Sequence, residues 1–320
     1  PWGFYLVLSA AFGFMLHVRK RTRQKYSEAC RPVLGNKVDG LAGKLIDLIA
    51  VFALLAGTAT TFSLATPLLA GAISTVTGIP QSTGLTLVIL IVVCAIYTFS
   101  VYFGMKGVQL SAATCTWLFF GLLAYVFFFG GQTRFIIEEG ITALGNLTQN
   151  FIGLATWTDS LRTSSFPQTW TIFYWAYWMV WCVAVPFFIG SISKGRTLRQ
   201  VILGGYVFGL SGTFTSFIIM GNYGLGLQMH GKLDVLSTYA ADGNLYHAIL
   251  DILGQLPLSK AVLVLLVLSM ITFYSTSFDS ITMVASTYTY KELKSDEEPH
   301  RNVKLFWAIF LILLPLGTDR

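Results

Sequence analysis

The amino-acid sequence predicts an all-α integral membrane protein, and three observations carry that reading. Of its 320 residues 54% are hydrophobic and only 11% are charged, against about 25% charged in soluble domains. Apolar stretches close to the roughly 20 residues needed to cross a bilayer recur about eight times. Basic residues, finally, fall on alternate loops. With the N-terminal end of the first span outside, the inner loops (19–44, Lys106, 194–199 and 291–304) hold sixteen Lys and Arg. The outer loops hold four, Arg134, Arg162, Lys232 and Lys260, as the positive-inside rule requires. No succession of short alternating strands is present, so a bundle rather than a barrel is expected. The net charge of +6 is explained by this placement and calls for no nucleic acid.

The elements follow in order. A first span at about 2–18 ends in the basic cluster Arg19-Lys20-Arg21-Thr22-Arg23, and a glycine-rich loop covers 35–43. The second span, about 45–73, carries Gly57, Thr58, Thr60, Thr61, Ser63 and Thr66 before Pro67. Small and hydroxyl residues of this kind mark close packing between membrane helices. A turn at Ile79-Pro80 leads into a third span at about 85–103, and Lys106-Gly107 reads as a short loop before a fourth at about 110–129. Residues 132–165 are more polar and include Phe135-Ile136-Ile137-Glu138-Glu139, which predicts an external loop with an amphipathic helix lying in the interface. Spans five (about 170–189), six (201–223) and seven (261–288) follow, and an eighth starts near Leu305. The chain starts at Pro1 rather than Met and stops just beyond an apolar run, so it reads as an internal piece of a longer protein.

The densest chemical signal is the run from Trp170 to Trp181, with seven aromatic residues in twelve positions. Tryptophan and tyrosine normally collect at the two membrane interfaces; rings along a whole span suggest a cage for a quaternary ammonium group, held by cation–π attraction. At helical spacing Tyr174, Trp178, Trp181 and Val185 share a stripe, with Trp170, Phe173 and Tyr177 beside it. Packing between helices is the alternative reading. Trp2 and Tyr5 offer a second wall, or else an interfacial anchor. In span seven, Phe273-Tyr274-Ser275-Thr276-Ser277-Phe278-Asp279 places an acid inside a span, where acids are costly and usually functional. The adjacent Thr276 and Ser277 hydroxyls suit a desolvated hard cation such as Na⁺, unless they bond back to helix carbonyls. Asp47, three residues after Lys44, reads as a locally paired charge at a helix start, and His17 as an interface residue.

Other chemistries find no support. Cys30, Cys94, Cys115 and Cys182 lack paired spacing, so neither a disulfide framework nor a metal site is expected. No phosphate-cradling glycine loop and no nucleophile–base order at hydrolase spacing occur. An enzyme is therefore not expected.

Trp170-Thr171-Ile172-Phe173-Tyr174-Trp175-Ala176-Tyr177-Trp178 resembles the signature of the betaine/choline/carnitine transporter family, which reads Trp-Thr-aliphatic-Phe-Tyr-Trp-Ala-Trp-Trp. Ile192-Ser193-Lys194-Gly195-Arg196-Thr197 is similar to the family's following loop. The likeness extends to Pro1-Trp2, to Asp47 and Gly57-Thr58-Ala59-Thr60, to Lys106-Gly107-Val108 and to Thr276-Ser277-Phe278-Asp279-Ser280. It implies a LeuT-like inverted-repeat transporter, often a homo-trimer. Residues 1–320 would form about eight of roughly twelve membrane helices, a single transporter domain lacking its N-terminal spans and C-terminal end. It implies substrate contacts from Trp2, Tyr5, Tyr177, Trp178 and Trp181, with Tyr177 standing where the signature has Trp. It also implies a sodium site at Phe273, Thr276 and Ser277. Sodium-independent exchangers of the family carry an Arg and a Met at positions that align with Cys115 and Val185. The expectation is therefore Na⁺-coupled import of glycine betaine, choline or carnitine across the plasma (inner) membrane. No cofactor beyond the coupling ion is expected, and membrane lipid is the surrounding partner. Sodium-free exchange and a non-transporting ligand sensor are the alternatives.

Overall fold

The apolar stretches fold as helices throughout. The computed structural model describes residues 2–102, 105–294 and 297–316, and among these no strand forms. Helix α1 (Trp2–Gly13) runs on through a π-helical turn (Phe14–Val18). After three short helical turns come α2 (Leu41–Thr77), α3 (Thr83–Tyr102) and α4 (Met105–Phe129). The amphipathic α5 (Thr133–Gln149) precedes α6 (Ile172–Trp181) and α7 (Ala184–Ile192). Then follow α8 (Leu198–Met229), α9 (Leu245–Gly254), α10 (Ser259–Tyr288) and α11 (Arg301–Leu316).

Five of these are long and apolar enough to cross a bilayer, and α6 with α7 makes a sixth if the bent pair is one span. The segment Trp2–Val18 is apolar but shorter. All eight expected stretches are helical where described, with three differences. Span two extends to Leu41–Thr77 because Gly40 ends the preceding turn and the helix carries Pro67 without stopping. Span five is not straight: α6 and α7 meet at 46°. Pro186 has no N–H to offer the Cys182 carbonyl, and a proline at that spacing bends a helix. Lys106-Gly107, expected as a loop, lies in the first turn of α4.

Helix α10 is the packing centre, touching α2, α3, α4, α7 and α11. Phe62 of α2 stacks on Phe278 with ring centroids 4.3 Å apart, and Tyr274 continues the stack. A second core joins α4, α5, α8, α9 and α10 through Val126, Ile136, Tyr223, Leu253 and Leu263. On the other side, α1 packs into the groove between α7 and α8. Gly43 is required at the start of α2, since a Cβ there would overlap the Val38 carbonyl.

Two polar regions flank the bundle. Behind α1, Arg31 bridges Glu28 and Asp39 (2.7 Å each), and Arg23 bridges Asp39 (2.8 Å) and Asp47 (3.5 Å). Hydrogen bonding to Arg31 holds the Asp39 carboxyl below its ordinary value. Asp47 also accepts from the Ser27 amide and hydroxyl, so its partners are Ser27 and Arg23 across the turn rather than Lys44. In 132–165 the expected amphipathic helix is α5, with Ile136 buried and an exposed Arg134–Glu138 pair at 2.7 Å. The loop beyond is organised on Asp159, which accepts from the amides of Thr163, Ser164 and Ser165. Desolvation pushes this carboxyl up, but those bonds outweigh it and hold it well below the usual range.

Candidate functional site: an aromatic cluster between α1, α6 and α8

The rings singled out in the sequence fall into two groups on α6. Trp2, Tyr5 and Trp178 form one. Trp178 lies 4.8 Å from Tyr5 and 5.5 Å from Trp2 between ring centroids, and Trp2 is 6.1 Å from Tyr5. The three rings pack on one another in tilted and edge-to-face arrangements, which aromatic quadrupoles favour. Trp2 is wedged against Gly209 of α8, where a Cβ would reach the indole. Its Nε1 donates to Thr213 Oγ1 at 3.3 Å.

The bend after α6 sets the position of Tyr5. At the helix end the Cys182 amide turns to Met179, leaving the Trp178 carbonyl without its usual partner four residues on. The Tyr5 hydroxyl donates to that carbonyl at 2.9 Å. A phenol buried at 4% exposure thus finds an acceptor, and the α6 terminus gains a donor.

Tyr177 and Trp181 face the other way, towards α2. The Thr61 hydroxyl donates to the Gly57 carbonyl, so the Tyr177 hydroxyl donates to Thr61 Oγ1, 2.9 Å away. Trp181 packs over Gly57, and its Nε1 is buried with no hydrogen-bond partner among the described residues. Phe173 stacks on Tyr177 at 5.9 Å. Phe173 also lines an open groove of about 930 Å³ between α2 and α3, with Thr60, Thr66, Gln81 and Thr83. Tyr174, expected on the stripe with Trp178, is exposed and touches Trp170 and Phe173 instead, because the stripe faces outward at that height. Trp175 packs against Phe4.

Of the proposed cation-site residues, Phe273 and Thr276 sit elsewhere, where α10 meets α4. Thr276 Oγ1 donates to the Thr272 carbonyl at 2.9 Å and lies 3.4 Å from Ser111 Oγ. The Ser277 hydroxyl makes no hydrogen bond among the described residues. Phe273 is edge-on to Phe119 at 5.5 Å. Cys115 is buried beside Thr272 and Thr276, so the residue aligned with the exchangers' Arg does neighbour this group. The structure brings Trp2, Tyr5 and Trp178 together, places Tyr177 and Trp181 on the adjacent face, and keeps Phe273 and Thr276 on a separate surface. Thr213 and Gly209 escaped the sequence reading; the only sign of them was the small residues Gly209, Ser211, Gly212 and Thr213 gathered in a span.

Long apolar helices joined by an aromatic cluster and a broken span define a multi-pass helical membrane protein. The chain belongs to the betaine/carnitine/choline transporter family, whose model matches residues 1–317. It is 28% identical over 318 residues to a carnitine transporter of Acinetobacter baumannii, covering 99% of this chain and 57% of that protein. It is 27% identical over 317 residues to the uncharacterized transporter YeaV of Escherichia coli K12, covering 99% and 66%. The chain thus spans 57% to 66% of the length of these curated relatives.

Proposed function

We propose that the protein imports a quaternary ammonium compound, glycine betaine, choline or carnitine, across the plasma membrane by coupling to Na⁺. The observation that carries this reading is the convergence of Trp2, Tyr5 and Trp178 from two helices within 6.1 Å of one another. Family membership and the carnitine transporter among the relatives support the substrate class. A trimethylammonium group has no N–H to donate, so desolvated ring faces are its natural partners, at roughly 0.5–2 kcal/mol each. In the arrangement seen here the faces of Tyr5 and Trp178 are turned to each other. Substrate entry therefore requires α6 to move against α1, and the bend after Trp181 supplies the hinge. A LeuT-like inverted repeat and a trimer belong to the same reading.

Sodium coupling draws its support from Thr276 and Ser277 and from Cys115, a small neutral residue where a substituting cation would stand beside Thr276. In the full-length protein, Trp178→Leu is expected to abolish saturable uptake of labelled substrate while leaving the protein in the membrane. Uptake equal to that of the parent would sink the cage. Uptake into proteoliposomes with and without a Na⁺ gradient separates symport from exchange, and counterflow separates either from a ligand sensor.

A further inference from the structure

Below the ring cluster, on the side where the basic loops place the cytoplasm, a short stretch of chain crosses the bundle. Residues 19–25 join α1 to the one-turn helix Tyr26–Ala29 and take up no regular structure of their own. The second half of this stretch is fastened to the chain leaving α10. Gln24, only 7% exposed, donates from Nε2 to two carbonyls, Leu293 at 3.1 Å and Lys294 at 2.9 Å. The Leu293 amide donates back to the Thr22 carbonyl at 2.7 Å, and the Tyr26 amide donates to the Tyr288 hydroxyl at 3.1 Å. On the other side Ser27 and Arg23 tie the same stretch to Asp47 of α2. None of the bonds to the α10 end belongs to the ladder of a helix. Thr22, Gln24, Leu293 and Lys294 lie in loops, and Tyr26 opens its turn, where amides lack an intrahelical partner. The stretch can part from α10 without unwinding anything.

The fastening holds one ring in place. Tyr26 stands edge-on to Phe12 of α1 with ring centroids 5.2 Å apart, and Phe12 stands likewise to Phe187 of α7, also at 5.2 Å. Phe12 lies seven residues beyond Tyr5 on α1, about 10 Å nearer the cytoplasm. Cys182, at the bend between α6 and α7, neighbours both Tyr5 and Tyr26. One ring of the cluster and the ring of the crossing stretch therefore face the same bend, from the outer and the inner side. Helices α1 and α7 meet backbone to backbone at Gly13 and Gly190, so side-chain movement alone cannot part them. Tyr26, carried at the end of a loop, is the cover that can be withdrawn.

We propose that residues 22–26 form a cytoplasmic strap over the inner side of the ring cluster. Gln24 is the fastener that holds it to the α10 end, Tyr26 is the cover, and release of cargo requires Gln24 to let go. The inference deepens the import reading and rests on it for the cargo alone; the fastening needs none.

Thiol labelling of Cys182 tests it. The full-length protein, with Cys182 as its single cysteine, is treated in inside-out vesicles with a membrane-impermeant maleimide. The strap is expected to shield Cys182 in the parent. Gln24→Ala removes two hydrogen bonds and is expected to raise the labelling rate about tenfold. A rate in Q24A equal to that of the parent overturns the proposal. A chain with Cys94 as its single cysteine, buried on α3, reports general loosening. If Q24A speeds the labelling of Cys94 as much as that of Cys182, the proposal is also overturned. Should Q24A not reach the membrane, Tyr26→Ala leaves Gln24 and its bonds in place and takes away the cover. It is expected to raise the Cys182 rate likewise, and an unchanged rate overturns the proposal. Uptake keeps the two readings apart. Faster labelling in Q24A where the parent shows no saturable uptake leaves the strap standing and removes the import reading. Saturable uptake by the parent with labelling unmoved by Q24A does the reverse.

Discussion

Tyr177 shows how one side chain departs from its family's signature and is accommodated. The signature has Trp there, and a Trp would carry its N–H at a different height from the phenol. Here the hydroxyl is donated to Thr61, which in turn donates to Gly57, so a chain of two hydrogen bonds ties α6 to α2. Tyr177→Phe keeps the ring and removes the first link. It is expected to cost about 0.5–1.5 kcal/mol of stability, read as a lower unfolding temperature in detergent, with uptake kept within a few fold. A loss of uptake as complete as that expected of Trp178→Leu would instead make Tyr177 a substrate contact through its hydroxyl. The same chemistry explains why residues on one helix separate so sharply: Trp178, one position on, is rotated by a little over a quarter turn and meets α1.

At the scale of elements, the bend between α6 and α7 matters most. Pro186→Ala restores a donor for the Cys182 carbonyl and removes the ring that blocks a straight helix. A straightened helix would return the Cys182 amide to the Trp178 carbonyl, in competition with Tyr5. The expected result is uptake lowered several-fold at an unchanged membrane level, checked by initial-rate transport beside surface labelling. Much of the helical order was legible beforehand, because apolar length and alternating loop charge are properties of single segments. The amphipathic helix in 132–165 was legible for the same reason, from Ile136 set against Arg134 and Glu138. The bend was not, since Pro186 sits in an apolar run that hydropathy alone reads as one continuous span. Nor were the partners of the rings. Thr213, Gly209 and Thr61 are ordinary residues in their own helices and acquire a role only when another helix is laid against them. The partners of Asp47, read from the sequence only as a locally paired charge, belong to the same class: Ser27 and Arg23 reach it because a turn brings them back.

Across the whole molecule, the two proposed sites occupy different packing surfaces, the rings between α1, α6 and α8, and Phe273 with Thr276 between α10 and α4. Coupling between them must then be carried by helix movement and not by a shared ligand shell; α7, which packs on both α1 and α10, and α2, which packs on both α6 and α10, join them. Ser277→Ala and Thr276→Ala are accordingly expected to raise the sodium concentration for half-maximal uptake by about tenfold or more, the loss of about 1.4 kcal/mol of binding. Substrate affinity at saturating sodium should change far less. Equal effects on both, measured in proteoliposomes over a sodium series, would place the two sites in direct contact. The closeness of Tyr5 and Trp178, 4.8 Å between ring centres with Trp2 at 5.5 Å, has an optical consequence as well. Chromophores held so near and at fixed tilt couple their excited states, so the cluster should contribute a strong near-ultraviolet circular dichroism signal. Trp178→Leu should erase that signal, and a ligand that parts the rings should diminish it in step with its own binding. The protein would thus carry its own reporter of an open or closed cage, readable without any label.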